Sequence, residues 1–254
     1  MRRPWPISLF DVPVARTHDP MGASPQSITI AIDDAQRVSG LLQASHDARA
    51  CYVLAHGAGA GMTHPFMAAV ADGLIEHGIA TLRYQFPYME QGSKRPDTAK
   101  IAQAAARAAV AEASRRVPKL ALFAGGKSFG GRMTSQAQAV SPLPGVLGLV
   151  FLGFPLHPAG RPSDERGAHL FTVQIPMLFL QGTRDQLADL PRLKALTGRI
   201  GARATLRSFQ DADHSFHVPV RTGRKDSEVL AELVGALADW IESVIPRTTR
   251  GQSA

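Results

Sequence analysis

From residue 51 onward the chain alternates between two kinds of segment, and that alternation constrains its fold more than any other feature. One kind is a short apolar run: "CYVLAHG" (51–57), "IATLRYQ" (79–85), "KLALFAGG" (119–126), "GVLGLVFLGF" (145–154), "IPMLFLQG" (175–182) and "ATLRSF" (204–209). Most of these runs are apolar almost throughout, where a strand with one wet face would alternate apolar and polar. The other kind has helical character: "THPFMAAVADGLIEHG" (63–78), an alanine-rich stretch over 97–116, then 129–140, 188–198 and 225–244. Parallel strands need a crossover of a dozen residues or so, usually a helix. The pattern therefore predicts an α/β fold with a mostly parallel sheet buried on both faces by helices. Thr63 is the expected cap of the first helix, with Pro65 in its first turn.

Ahead of this pattern, "SITIAI" and "RVSGLLQ" read as two strands joined by the turn "DDAQ". Before them, Pro4, Pro6, Pro13 and Pro20 punctuate a stretch without periodicity. Residues 1–24 are expected to be a flexible extension, 25–246 one domain, and 247–254 a flexible tail; no internal repeat stands out. Residues 155–174, between the fourth and fifth runs, are expected to be a loop with at most a turn of helix. That is too short for a helical cap domain.

Composition narrows the function classes. The 254 residues include 28 basic and 21 acidic ones, a net charge of +7, and this raises the question of nucleic acid. The cations are scattered, some of them at the ends (Arg2, Arg3, Arg247, Arg250), and aromatics are only 6 %, so no basic aromatic stripe forms. A solvated basic surface is the expectation, with no nucleic-acid partner. No run reaches the roughly 18 to 20 apolar residues of a membrane span, and the first twenty residues lack the apolar core of a secretory signal. The one cysteine, Cys51, excludes an internal disulfide framework and fits a reducing, cytoplasmic setting. Its place in an apolar run reads as core, with a reactive thiol as the alternative.

Chemistry is concentrated in "LALFAGGKSFGGRMTS" (120–135), where Gly125, Gly126, Gly130 and Gly131 crowd around Ser128. Gly126-Lys127-Ser128-Phe129-Gly130 matches G-x-S-x-G between a predicted strand and a predicted helix, the setting of a nucleophile elbow. A sharp turn there lifts a serine hydroxyl clear of the sheet, and flanking side chains would strike the neighbouring strand and helix. A plain glycine turn is the bland alternative. "GGKSFGG" also contains Gly-Lys-Ser, but Ala121 stands where a phosphate-binding loop needs its first glycine.

A nucleophilic serine needs a base, and ligand sites in open parallel sheets lie beyond the carboxyl ends of the strands. "DADHSFHVP" places His214 just after the last strand, with His217 as rival. "QGTRD" places Asp185 just after the preceding one, with Asp164 as the alternative acid. The order Ser128, Asp185, His214 is that of the α/β-hydrolases. Oxyanion donors are expected from the Phe129 amide, at the positive end of a helix, and from the glycine-rich loop "HGAGAGM", where Ala58 is the candidate. His56, Gly57 and Gly59 of that loop are candidate substrate contacts. Lys127, Arg83 and Arg132 read first as structural ion-pair residues, with Glu90 for instance; the sharper reading, for which Arg83 and Arg132 are candidate substrate contacts, is a positive rim for an anionic acyl group.

On these motifs, with "RYQFPYMEQG" and "FLGFPLHPAGRP", residues 28–245 resemble the α/β-hydrolase superfamily. Within it they are similar to the dienelactone-hydrolase-like branch, which takes in testis-expressed and lysine-acetyltransferase regulatory-complex subunit types. The resemblance implies that Ser128, Asp185 and His214 take the nucleophile, acid and base positions, and it supplies no substrate. The residues themselves lead to the expectation of a serine hydrolase acting on a small ester, thioester or lactone with no metal or cofactor required. Dienelactone hydrolases use cysteine as nucleophile, so serine here argues against carrying over their substrate. A non-catalytic module binding a protein partner is the alternative reading.

Overall fold

The computed structural model describes residues 24–246. The expected extension and tail fall, apart from Ser24, on residues outside these. Eight strands form one sheet: β1 (Gln26–Ala31), β2 (Arg37–Gln43), β3 (Ala50–Ala55), β4 (Ile79–Tyr84), β5 (Ala121–Lys127), β6 (Val146–Leu152), β7 (Met177–Gly182) and β8 (Ala204–Phe209). Their order is β1-β2-β4-β3-β5-β6-β7-β8. The first two pairings are antiparallel and every later one is parallel. The helices are α1 (Pro65–Glu76), α2 (Pro87–Glu90), α3 (Ala99–Arg116), α4 (Phe129–Val140), α5 (Leu190–Ile200) and α6 (Asp226–Val244).

The apolar strands bury both of their faces. Tyr52, Leu54, Val150, Leu152, Leu178 and Leu180 pack toward α1 and α6, while Val53, Ala124, Leu149, Phe151, Met177 and Phe179 pack toward α3, α4 and α5. Cys51 belongs to this second core; burial pushes its thiol up to about 12, which leaves it protonated. The strand order switches sides between β3 and β5, since β4 is added on one side of β3 and β5 on the other, and the crevice at that switch, beyond the strand ends, is where an open sheet binds its ligand.

Three expectations change. The cap of α1 is His64, not Thr63: Pro65 holds the first helical position, so the residue before it must cap, and its Nδ1 accepts the Phe66 N–H at 3.2 Å. The helix expected from Asp97 starts at Ala99, because the Asp97 carboxylate instead accepts the Tyr88 N–H of α2 at 3.1 Å. The loop over 155–174 carries an eight-residue 3₁₀ helix, Glu165–Thr172, longer than a single turn. His169 anchors it to α4 through Ser135 (2.8 Å), and among the described residues no cap domain covers the strand ends.

Candidate active site

Ser128 stands at the junction of β5 and α4 with φ 49° and ψ −113°, a conformation that costs a non-glycine residue energy and is held by its surroundings. The glycines explain how the turn fits. A Cβ on Gly126 would lie 2.2 Å from the Ala55 carbonyl oxygen of β3, and one on Gly130 would lie 2.5 Å from that of His56. Any side chain at either position would push the strand and the helix apart.

A hydrogen-bond chain runs from this serine. Ser128 Oγ is 2.8 Å from His214 Nε2, and His214 Nδ1 is 2.7 Å from Asp185 Oδ2. The Asp185 carboxylate also accepts the Leu187 N–H (2.7 Å) and the Gln181 side-chain amide (2.5 Å). An ionised carboxylate only accepts, so the ring proton sits on Nδ1 and the Nε2 lone pair faces the serine hydroxyl. Gln181 is in turn held by the Phe154 N–H, which donates to its Oε1 at 2.9 Å. The rivals take other partners: His217 pairs with Asp226 at 2.6 Å on the surface, and Asp164 faces Arg199 at 3.7 Å.

The loop after β3 comes close beside the serine, since a Cβ on Gly57 would stand 3.7 Å from Ser128 Cβ. The N–H groups of Ala58 and Phe129 enter none of the turn, cap or side-chain hydrogen bonds of the described residues. Gly57, Ala58 and Gly59 border the cavity in front of Ser128. His56 does not. It is fully buried, accepts the Phe86 N–H on Nε2 (3.1 Å) and donates from Nδ1 to the Gly57 carbonyl (2.7 Å), so it braces the loop from behind. Burial brings its pKa down to about 4, which keeps it neutral.

The segment "QFPYMEQG" (85–92) carries α2 and stands behind the same loop. Tyr88 Oη accepts the Gly59 N–H (2.9 Å), and Gln85 accepts the Met62 N–H (2.8 Å). Neither arginine lines the cavity. Arg83 is 2 % exposed and reaches the Met62 carbonyl and Gln43, both at 3.4 Å, while Glu90 bonds Ser39 instead. Arg132, one turn into α4, leaves on the face packed against the 3₁₀ helix, beside Arg166 and His169; burial and the Arg166 charge pull its pKa down. The cavity itself is about 760 Å³, within the range of small-molecule sites. Its apolar wall includes Phe66, Met67, Leu187, Phe216 and Leu230, with His64, His217 and Asp226 at the polar margin.

Comparison with known proteins agrees with this fold. Residues 48–242 match the family described as alpha/beta hydrolase domain, which is most of the chain. The chain belongs to the α/β-hydrolase family. Among solved structures, this α/β-hydrolase is similar to a serine hydrolase without lid from Xanthomonas campestris, at 22 % identity and TM-score 0.68, over 91 % of this chain and 100 % of that one. It is also similar to a dienelactone hydrolase from Anabaena variabilis, at 20 % identity and TM-score 0.69, over 87 % of this chain and 99 % of that one. A serine hydrolase homologue from Coxiella burnetii matches at 18 % identity and TM-score 0.68, over 85 % and 97 %. At these identities the likeness is one of fold. Among the described residues no helix is long and apolar enough to cross a membrane.

Sequence reasoning missed Gln181, Tyr88 and the bracing role of His56. Gln181 carried a signal in hindsight, as a buried polar residue inside an apolar strand, which must find partners. Tyr88 carried none, because its partner lies 29 residues back in the chain.

Proposed function

We propose that this α/β-hydrolase is a serine hydrolase that cleaves a small ester, thioester or lactone through an acyl-enzyme. The observation that carries this reading is the continuous hydrogen-bond chain from Ser128 Oγ through His214 to Asp185, at 2.8 and 2.7 Å. In the first half-reaction Ser128 Oγ bonds to the carbonyl carbon as its proton passes to His214 Nε2. The oxygen of the tetrahedral intermediate takes its negative charge toward the Phe129 and Ala58 N–H groups. Collapse breaks the bond to the alcohol or thiol, which leaves with the proton from His214. Water then repeats the sequence on the acyl-serine and releases the acid. Asp185 keeps the imidazole in the reacting tautomer and stabilises the imidazolium.

Labelling with a fluorophosphonate probe tests the reading before a substrate is known. Wild type should take up label under native conditions and Ser128→Ala should not; absence of label from the wild type favours a non-catalytic module. With no cap over the strand ends among the described residues, burial of the substrate is limited to the open 760 Å³ cavity. Acetyl and butyryl nitrophenyl esters should therefore exceed palmitoyl esters in kcat/KM.

A further inference from the structure

Lys127 precedes the proposed nucleophile and has no part in the chemistry above. Its stem borders the cavity, packed where Gly57 leaves room: a Cβ on Gly57 would sit 3.4 Å from Lys127 Cγ. A surface lysine extends its head to water. This one turns inward, and its Nζ donates to the backbone carbonyl of His214 at 2.5 Å. The ammonium lies 5.6 Å from the centroid of the Phe216 ring. Gly153, with φ +70°, makes the space: a Cβ there would stand 3.1 Å from Nζ and 3.3 Å from the His214 carbonyl oxygen. The ends of β5 and β6 and the loop after β8 thus meet at one ammonium group.

The titratable groups around it are Asp185, Asp213 and the His214 ring. Among the described residues, no carboxylate forms an ion pair with it within 4.0 Å. Burial brings the Lys127 pKa down to about 8, against the opposing pull of Asp185 and Asp213. The loop it touches is strained on either side of His214, with Asp211 at φ 59° and Phe216 at φ 65°.

We propose that Lys127 is a positioning residue, whose charged hydrogen bond holds the His214 loop against Ser128. This rests on the serine-hydrolase reading. A hydrogen bond from an ionised donor is roughly twice as strong as a neutral one. Reactivity of Ser128 therefore falls as Lys127 loses its proton, near pH 8. A lysine that only filled space would leave the pH profile untouched.

The test is the rate of fluorophosphonate labelling from pH 6 to 10, with thermal stability followed alongside. Wild type should slow above about pH 8 while still folded. Lys127→Met should label about 10-fold to 100-fold more slowly at pH 7 and show no further fall, the scale of loss expected from a slightly misplaced catalytic group. Lys127→Gln keeps a neutral donor and should lie between the two, also without the alkaline fall. Wild-type rates in Lys127→Met, or a folded wild type that shows no decline between pH 8 and 9, would overturn the proposal; the second result decides even if the variants do not fold. A wild type that takes no label at all instead strikes the serine-hydrolase reading, so the two failures are distinct.

Discussion

Two histidine–aspartate pairs begin three residues apart on the loop after β8, and their distances barely differ. His214 meets Asp185 at 2.7 Å, and His217 meets Asp226 at 2.6 Å. Their surroundings do differ. The side chains of the first pair are 24 % and 0 % exposed, those of the second 65 % and 51 %. Asp185 is enclosed by the Leu187 N–H and Gln181, and its histidine reaches on to Ser128. Asp226 accepts the Val218 N–H, which with His217 holds its carboxyl below the usual carboxylate range, and it ties the loop to the start of α6. In water such a pair is worth about 0.2–1 kcal/mol. In a dry site the loss of one partner leaves the other desolvated and unpaired, at several-fold greater cost. Separation alone does not tell the enclosed pair from the surface clasp; burial and the third partner do.

The largest expected contrast comes from the two aspartates. Asp185→Asn keeps the shape but favours the wrong imidazole tautomer, and should lower kcat about 10³-fold to 10⁴-fold on a nitrophenyl acetate assay. A loss below tenfold would erase the distinction between the pairs.

A third histidine extends the series to full burial. His56 has its pKa lowered to about 4 in the folded chain, against 6.5 in its ordinary state. Between those values the unfolded chain binds the extra proton. The contribution to stability is therefore complete above pH 6.5 and lost as pH falls through about 4. The difference amounts to about 3 kcal/mol. His169, also lowered to about 4 but partly exposed, adds a smaller share in the same direction. Urea unfolding at pH 7 and pH 4.5 should show the loss, and His56→Gln should shrink the difference between the two pH values. An unchanged difference would remove His56 from the account.

The smallest effect belongs to the surface pair. Asp226→Asn should change kcat/KM less than about threefold and stability by less than about 1 kcal/mol. A loss approaching that of Asp185→Asn would mean that His217 serves the reaction after all.

Much of this architecture was legible in the chain. The strand "ATLRSF" and the helix over 129–140 have the bounds that their patterns predict, since each depends on local periodicity and its flanking glycines. The elbow was legible for the same reason: Gly126 and Gly130 answer to contacts that any strand–turn–helix of this kind makes. The arginines were not. Arg83 and Arg132 look alike in sequence as cations near strand ends, yet one is buried against Gln43 and Met62 and the other against the 3₁₀ helix. Nothing within a few residues of either states where its guanidinium goes. The eight-residue 3₁₀ helix escaped because its anchor, His169 to Ser135, spans 34 residues.

By itself, then, the sequence determined the mostly parallel sheet, the glycine-lined turn at Ser128, and the order in which serine, aspartate and histidine follow their strands. These rest on backbone sterics and hydrophobic periodicity, which act over a few residues at a time. Only the tertiary structure decided which histidine reaches Ser128, that His56 and Tyr88 brace the loop of Ala58 rather than face the cavity, and that Lys127 turns under His214. His214 and Ser128 are 86 residues apart in the chain and Lys127 and the His214 carbonyl 87. Such contacts exist only once the sheet has brought its strand ends together and excluded the water that would otherwise satisfy each group separately.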